Sequence, residues 1–187
     1  MKLEDRLVNV MLNNNIIRED DMEIYRYGLR TLKLKLISYM SAMIIAVLLG
    51  RLSYFAVILV SFMSVRKYAG GFHEDTAVKC FVVSQILFII LEVGSKYIVR
   101  YGIGVMPAVI LGIIGTVLIM KNAPVESVHH RLSDKQKCKY RKIALISCCV
   151  WNLIILGLFF LKEYEYIVVA ALSLSFQGIL TVIPERK

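Results

Sequence analysis

The chain has 187 residues, of which 58% are hydrophobic, and its mean hydropathy is +0.66. A water-soluble domain of this length needs polar residues over most of its outer surface, and this chain has too few to cover one. These values exclude an ordinary soluble protein and favour one membrane domain over residues 1–187. The formal net charge is +9 at pH 7. We interpret it as charge that sets topology and meets lipid head groups, with no nucleic-acid partner.

Residues 1–30 combine charged positions with apolar ones at helical spacing, such as Leu3, Leu7 and Val10. This pattern predicts an amphipathic helix that lies along the membrane interface without spanning it. An ordinary helix packed against the bundle is the alternative. Because residues 1–25 contain no uninterrupted apolar core and no small-residue cleavage site, we expect no cleavable signal peptide.

Six apolar segments follow, and the last three are long enough to cross ~30 Å of hydrocarbon as helices. The second segment is short, and Arg51 separates it from the first. The third has Lys79 and Glu92 near its ends, where long side chains can snorkel to the interface. We predict an all-α, polytopic membrane bundle of about six transmembrane helices plus the N-terminal interfacial helix. The segments are residues 34–50, 52–65, 78–93, 101–120, 143–161 and 166–183, so that the bundle covers residues 34–183.

The basic residues follow a topological pattern. If the six segments span with both termini inside, the inside segments carry 19 Lys and Arg residues and the outside loops carry 4. Such an excess is typical of cytoplasmic segments. It predicts a multi-pass membrane protein with both termini in the cytoplasm.

The stretch from Arg66 to Cys80 reads Arg-Lys-Tyr-Ala-Gly-Gly-Phe-His-Glu-Asp-Thr-Ala-Val-Lys-Cys and lies at the predicted cytoplasmic boundary. On one continuous helix, His73 and Cys80 would share a face but lie about 10.5 Å apart. A thiol–imidazole hydrogen bond needs about 3 Å. The two residues can therefore cooperate only if the helix begins after His73, near Asp75 or Thr76, which are natural N-caps. Spacing by itself favours a packing cysteine and a solvated histidine.

The block Arg66-Lys-Tyr-Ala-Gly-Gly-Phe-His73, followed by Cys80, resembles the signature of the AgrB family of bacterial quorum-sensing peptidases. A second block, Asn122-Ala-Pro-Val-Glu126, is similar to the Ala-Pro that precedes a basic loop in that family. The amphipathic start, the spans and the cytoplasmic termini agree as well, so the resemblance covers most of the chain. Residues 127–132 depart from the family's Asn-Lys-Pro-Leu-like continuation.

The resemblance implies a membrane-embedded cysteine endopeptidase that removes the C-terminal tail of an AgrD-like precursor peptide at the cytoplasmic face of a bacterial cell membrane. Cys80 would be the nucleophile, His73 its base and later its acid, and Arg66 and Gly71 would shape the site. A Cys or Ser of the peptide would resolve the Cys80 thioester and close a thiolactone or lactone. The tail is typically acidic in this family. A basic stretch either attracts it or only sets topology: Lys135, Lys137, Lys139, Arg141 and Lys142.

Other candidate chemistry is weaker in the sequence. His129, His130 and Cys138 match no common zinc spacing, and no phosphate-binding glycine loop is present, so we expect no metal and no other cofactor. Cys148 and Cys149 lie in an apolar segment and are expected to be reduced packing residues. A homodimer is compatible with the sequence, but no residue specifies it. No third catalytic residue is identified among the polar neighbours of Cys80, which are Glu74, Asp75, Ser84 and Gln85.

Two other functional classes compete with the peptidase. A small membrane peptide transporter or exporter should place polar or charged residues near the midplane of its spans, and these span interiors are nearly free of charge. A non-enzymatic membrane scaffold gives no reason for the block that contains His73 and Cys80. The sequence therefore favours the peptidase.

Overall fold

The computed structural model describes residues 3–71, 77–125 and 132–183. These ranges are helical almost throughout, as the predicted all-α class requires, and within them the one β pairing is an isolated bridge between Gly70 and Val125. A short 3-10 helix at Glu19–Asp21 follows the first α-helix. The α-helices are α1 (Leu3–Asn13), α2 (Met22–Leu48), α3 (Leu52–Ala69), α4 (Ala77–Arg100), α5 (Val105–Asn122), α6 (Asp134–Phe160) and α7 (Tyr164–Val182).

Six helices, α2 to α7, are long and apolar enough to cross a bilayer. Their outward faces expose large aliphatic side chains along their length, including Ile44, Ile86, Ile113 and Leu153. Such exposure is unfavourable in water and is normal against lipid acyl chains. The chain is therefore a multi-pass membrane protein, and the predicted number of spans is confirmed.

The N-terminal segment differs from the single helix expected over residues 1–30, because the structure divides it between α1 and the beginning of α2. The break follows a run of asparagines in which Asn15 has φ 55°. This left-handed conformation interrupts a helix, and Asn adopts it more readily than most residues. α1 packs on α2, with an ion pair between Asp5 and Arg26 at 3.0 Å.

α7 is the central helix of the bundle, and it contacts α3, α4, α5 and α6. Its most extensive contact is with α5, where Gly115 lies directly against the backbone at Leu174 and Gly178. A Cβ atom at Gly115 would overlap the Leu174 carbonyl oxygen. Glycine at this position therefore sets the close spacing of the two helices.

The far end of α4 corrects a second expectation. The helix continues to Arg100, so Glu92 lies two turns inside its end, is 1% exposed and does not snorkel to the interface. Arg51 is also buried, and it donates to Glu165 on α7 and to Ser95 on α4, both at 3.0 Å. The arginine that separates the first two spans thus joins three parts of the bundle at this end.

Candidate active site

Cys80 lies in α4, three residues after Ala77, where the described part of that helix begins. The sequence predicts the nucleophile one turn inside the N-terminal end of this helix, and the residues that would carry that end lie outside the described part of the chain. The side chain of Cys80 and the whole of residues 72–76, with His73, Glu74 and Asp75, lie outside the described part of the chain. The dyad of His73 and Cys80 therefore stays a prediction. The structure does describe the turn at Gly70 and Gly71, which immediately precedes this segment.

This turn begins where α3 ends. Gly70 has φ 68° and ψ −146°, and Gly71 has φ 115°. These combinations are accessible to glycine and strained for residues that carry a Cβ atom. The diglycine thus turns the chain out of α3 through conformations that L-residues with side chains avoid.

Arg66 holds this turn from the last turn of α3. Its Nη1 donates to the Gly70 carbonyl at 3.0 Å, and its Nη2 donates to the Gly71 carbonyl at 3.3 Å. Cationic donors at a helix C-terminus satisfy carbonyls that have no intrahelical partner and oppose the negative end of the helix dipole. A Cβ atom at Gly71 would lie 2.6 Å from Arg66 Nη1, so the glycine makes room for this contact.

Val125 holds the turn from a second side. Its N–H donates to the Ala69 carbonyl at 2.9 Å, and it forms the isolated bridge with Gly70. A Cβ atom at Gly70 would overlap the Val125 carbonyl oxygen. The structure therefore brings together the two sequence blocks that are far apart in the chain, one ending α3 and the other following α5.

Gln177 on α7 provides the third anchor, which sequence reasoning missed. Its side chain is fully buried, and its Nε2 donates to the Gly70 carbonyl at 3.1 Å. Its Oε1 is buried without a hydrogen-bond partner among the described residues. A glutamine inside an apolar segment was the available signal, because polar groups within spans are costly and tend to be functional. We call Gly70, Gly71 and their contacts Arg66, Val125 and Gln177 the diglycine junction.

Two of the polar residues near Cys80 lie in the described part of α4: Ser84, which is half-buried, and Gln85. The Gln85 contacts are the ones that link helices. Gln85 Nε2 donates to the backbone carbonyl and to the hydroxyl of Ser38 on α2, both at 2.9 Å. This side chain joins α2 to α4, so it is engaged in helix packing.

The predicted basic stretch occupies the first turns of α6, after a capping box between Ser133 and Gln136. Tyr140 stacks edge-on against Tyr68 of α3, with ring centroids 5.7 Å apart. This contact places the stretch at the same end of the bundle as the diglycine junction. Helical spacing puts three of its members on one face of α6 and two on the opposite face. They are Lys135, Lys139 and Lys142, and then Lys137 and Arg141.

Within the described ranges, the other three cysteines form no disulfide. Cys148 is buried, whereas Cys138 and Cys149 are exposed, and all three are free. In the same ranges no three His, Cys, Asp or Glu side chains are placed to share a metal ion. His129 and His130 lie outside the described residues.

The fold and this arrangement define a class: a helical multi-pass membrane protein with a polar junction at one end of the bundle and a cysteine at the start of the next span. The chain belongs to the AgrB family, accessory gene regulator B, which it matches over residues 4–181.

A curated relative is similar over part of its length. It is a putative AgrB-like protein 1 from Clostridium perfringens (strain 13 / Type A), 26% identical over 129 residues. The match covers 67% of this chain and 66% of the relative, just under two thirds of its length. No solved structure matches the chain.

The contact between Gly70 and Val125 predicts that Gly70→Ala destabilises the protein more than Gly102→Ala. Both glycines have a similar positive φ, 68° and 64°, but a Cβ atom at Gly102 would meet nothing within 4 Å. A positive φ strains a residue that carries a Cβ atom by about 1–3 kcal/mol, so both variants lose stability through the backbone. Overlap with Val125 adds about 1–3 kcal/mol to Gly70→Ala alone. Denaturant unfolding in detergent measures the difference, and equal losses would contradict the close contact.

Proposed function

We propose that this chain is a membrane-embedded cysteine endopeptidase that removes the C-terminal tail of an AgrD-like precursor peptide. In this proposal Cys80 is the nucleophile and His73 is its general base and then its acid. The observation that carries it is the diglycine junction. Three separate parts of the bundle fix the chain immediately before the segment that contains His73 and leads to Cys80.

Chain length links the junction to both residues. His73 follows Gly71 by two residues, which reach at most about 7 Å when extended. Ala77, the first described residue of the helix that carries Cys80, follows Gly71 by six residues, which reach at most about 20 Å. Because Gly71 is anchored, the chain that follows it limits how far His73 and the helix with Cys80 can lie from the junction. Such a restriction favours a geometry in which the two side chains can react together.

The proposed reaction has two acyl transfers. The Cys80 thiolate attacks the carbonyl carbon of the scissile peptide bond, the C–N bond breaks, and protonated His73 gives its proton to the departing amine. The peptide is left as a thioester on Cys80 Sγ, and neutral His73 is ready to act as a base.

Ring closure completes the cycle. A Cys or Ser side chain within the peptide gives its proton to His73 and attacks the thioester carbonyl. The C–S bond to Cys80 breaks, so the thiolate is regenerated and a thiolactone or lactone is released. A thioester retains much of the acylating power of its acyl group, and limited water at the bilayer boundary favours cyclisation over hydrolysis.

The basic stretch of α6 supports the recognition of an acidic tail. Its five cations lie at the same end of the bundle as the diglycine junction, and four of them are exposed: Lys135, Lys139, Arg141 and Lys142. Clustered cations raise the local concentration of an anionic segment. We propose that this stretch attracts the tail that is removed.

We also propose that both termini and the active site face the cytoplasm. The support is the distribution of Lys and Arg, 19 against 4, which the six observed spans preserve. The diglycine junction and the start of α6 then lie on the cytoplasmic side, and the turn between α6 and α7 lies on the other.

Thiol labelling of intact cells tests this orientation. With Cys80, Cys148 and Cys149 replaced by Ala, the remaining exposed Cys138 should react with a membrane-impermeant maleimide only after permeabilisation. Lys162→Cys in a chain without other cysteines is the matched control, because Lys162 is exposed in the turn between α6 and α7 and should react in intact cells. The reverse labelling pattern would overturn the proposed orientation.

Removal of either proposed catalytic group should abolish peptide processing. We expect Cys80→Ala and His73→Ala to leave a co-expressed precursor peptide at full length, because no thioester forms without an activated thiolate. Cys149→Ala and His130→Ala are the matched controls and should retain processing. Gel shift and mass spectrometry follow the tail, and a thioester adduct on Cys80 is the expected intermediate. Tail removal that persists in both Cys80→Ala and His73→Ala would refute the mechanism.

Gln177→Leu should lower the rate of processing with little effect on folding. The change removes a buried amide whose oxygen has no partner among the described residues, so the loss of stability should be small. The Gly70 carbonyl loses one of its two donors, and misplacement of a reacting group by about 1 Å can cost 10²-fold in rate.

The control for Gln177→Leu is Ser173→Ala, which removes another buried polar group of α7, one that accepts a hydrogen bond from Ser61 away from the junction. Processing kinetics with purified protein and peptide should show a fall in kcat for Gln177→Leu alone. Equal rates in the two variants would show that Gln177 does not position the site.

A further inference from the structure

A second polar region lies at the end of the bundle remote from Cys80. Twenty residues of α4 separate Cys80 from Arg100, which is about 30 Å of helix and the thickness of the hydrocarbon core. At this end a cleft of about 170 Å³ opens between the turn after α2 and the last two turns of α4. Its lining is Leu49, Arg51, Val93, Lys96, Tyr97 and Arg100.

The cleft concentrates positive charge on the side that holds few cations. By the charge count, that side has four Lys and Arg residues, and three of them line the cleft: Arg51, Lys96 and Arg100. Lys96 and Arg100 are exposed, and neither has a carboxylate within ion-pair distance in the described part of the chain. These two cations are therefore available to an anion.

Arg51 forms the floor of the cleft and is 6% exposed. Its two terminal amino groups donate hydrogen bonds to Glu165 and Ser95. Its guanidinium lies 4.1 Å from the centre of the Tyr54 ring. Its Nε is buried with no partner among the described residues. Because both terminal amino groups are engaged and Nε is buried, Arg51 acts on a ligand in the cleft through its positive charge.

Two carboxylates lie near and oppose an anion. Glu165 pairs with Arg51 at 3.0 Å, and Glu92 is buried one helical turn before Lys96 and outside the lining of the cleft. Even with both ionised, the three lining cations leave a net positive charge. The cleft therefore selects an anionic group.

The apolar part of the lining identifies the kind of anion. Leu49, Val93 and the ring of Tyr97 stand beside the cations, and the neighbouring Leu48 and Leu52 are exposed as lipid-facing side chains. A ligand that satisfies both parts has an anionic head and an apolar tail. Guanidinium and ammonium groups at the membrane boundary bind phosphate well.

We propose that this cleft binds the phosphate group of an anionic phospholipid in the leaflet opposite Cys80, with the acyl chains along the outer faces of α2 and α4. This site is independent of the peptidase chemistry, and its test needs no activity.

The experiment uses the full-length chain in a neutral detergent, with phosphatidylglycerol as the probe and phosphatidylcholine as the zwitterionic comparison. Native mass spectrometry should show phosphatidylglycerol retained on the protein in preference to phosphatidylcholine. Phosphatidylglycerol should also raise the melting temperature, whereas inorganic phosphate at the same concentration should not.

Variants locate the site. Lys96→Gln and Arg100→Gln should each weaken phosphatidylglycerol binding about fivefold, the contribution of one cation near a lipid head group. Lys162→Gln is the matched control, because it removes one exposed cation at the same end outside the cleft. It should leave binding unchanged, and circular dichroism should show that all three variants are folded.

Two results would overturn the proposal. Equal retention of phosphatidylglycerol by the wild type and the Lys96→Gln/Arg100→Gln double variant would mean that the lipid binds elsewhere on the lipid-facing surface. Stabilisation by inorganic phosphate that disappears in the double variant, without a preference for the lipid, would make the cleft a site for free anions.

Discussion

The close packing of α7 within the bundle is the constraint on which the rest of the structure depends. Lipid acyl chains are as apolar as leucine, so helices in a membrane associate through van der Waals contact and interhelical hydrogen bonds. Gly115 and Gly178 bring α5 and α7 into backbone contact, and Ser61 donates to Ser173 at 2.8 Å between α3 and α7. A larger residue at either glycine would separate the two helices. The other helices would then lose the surface on which they pack.

The same helix links the two polar ends of the protein. Glu165 in its first turn pairs with Arg51, and Gln177, about 18 Å further along the axis, reaches the Gly70 carbonyl. Because both side chains project from one continuous helix, the packing of α7 fixes the cleft and the diglycine junction relative to each other. The junction also receives Arg66 from α3 and Val125 from the segment after α5. A turn of two glycines, which has many accessible conformations by itself, is thereby held in one.

The candidate site was only partly predictable. The family resemblance pointed to Arg66 and Gly71, and the structure places them in contact as neighbours in one turn. Gln177 was missed because its partner is a backbone carbonyl far away in the chain, and no local pattern encodes such a pair. The prediction that Glu92 snorkels to the interface was wrong because the third apolar segment was predicted to end at residue 93, whereas α4 continues to Arg100. Snorkelling needs a position near a helix end, and the true end lies two turns further on.

The amino-acid sequence by itself determined the all-α membrane class and the number of spans, and the resemblance of one block to a family signature pointed to His73 and Cys80. These follow from composition, from the length of apolar runs and from local motifs, which need no knowledge of neighbours in space. The tertiary structure alone decided that α7 is central, that the segments after α3 and α5 meet at Gly70, and that Arg51 is buried. Lipid-facing and buried positions in a span are equally apolar, so hydropathy cannot tell them apart. Which small residues touch, and which polar groups pair, is settled when the helices pack.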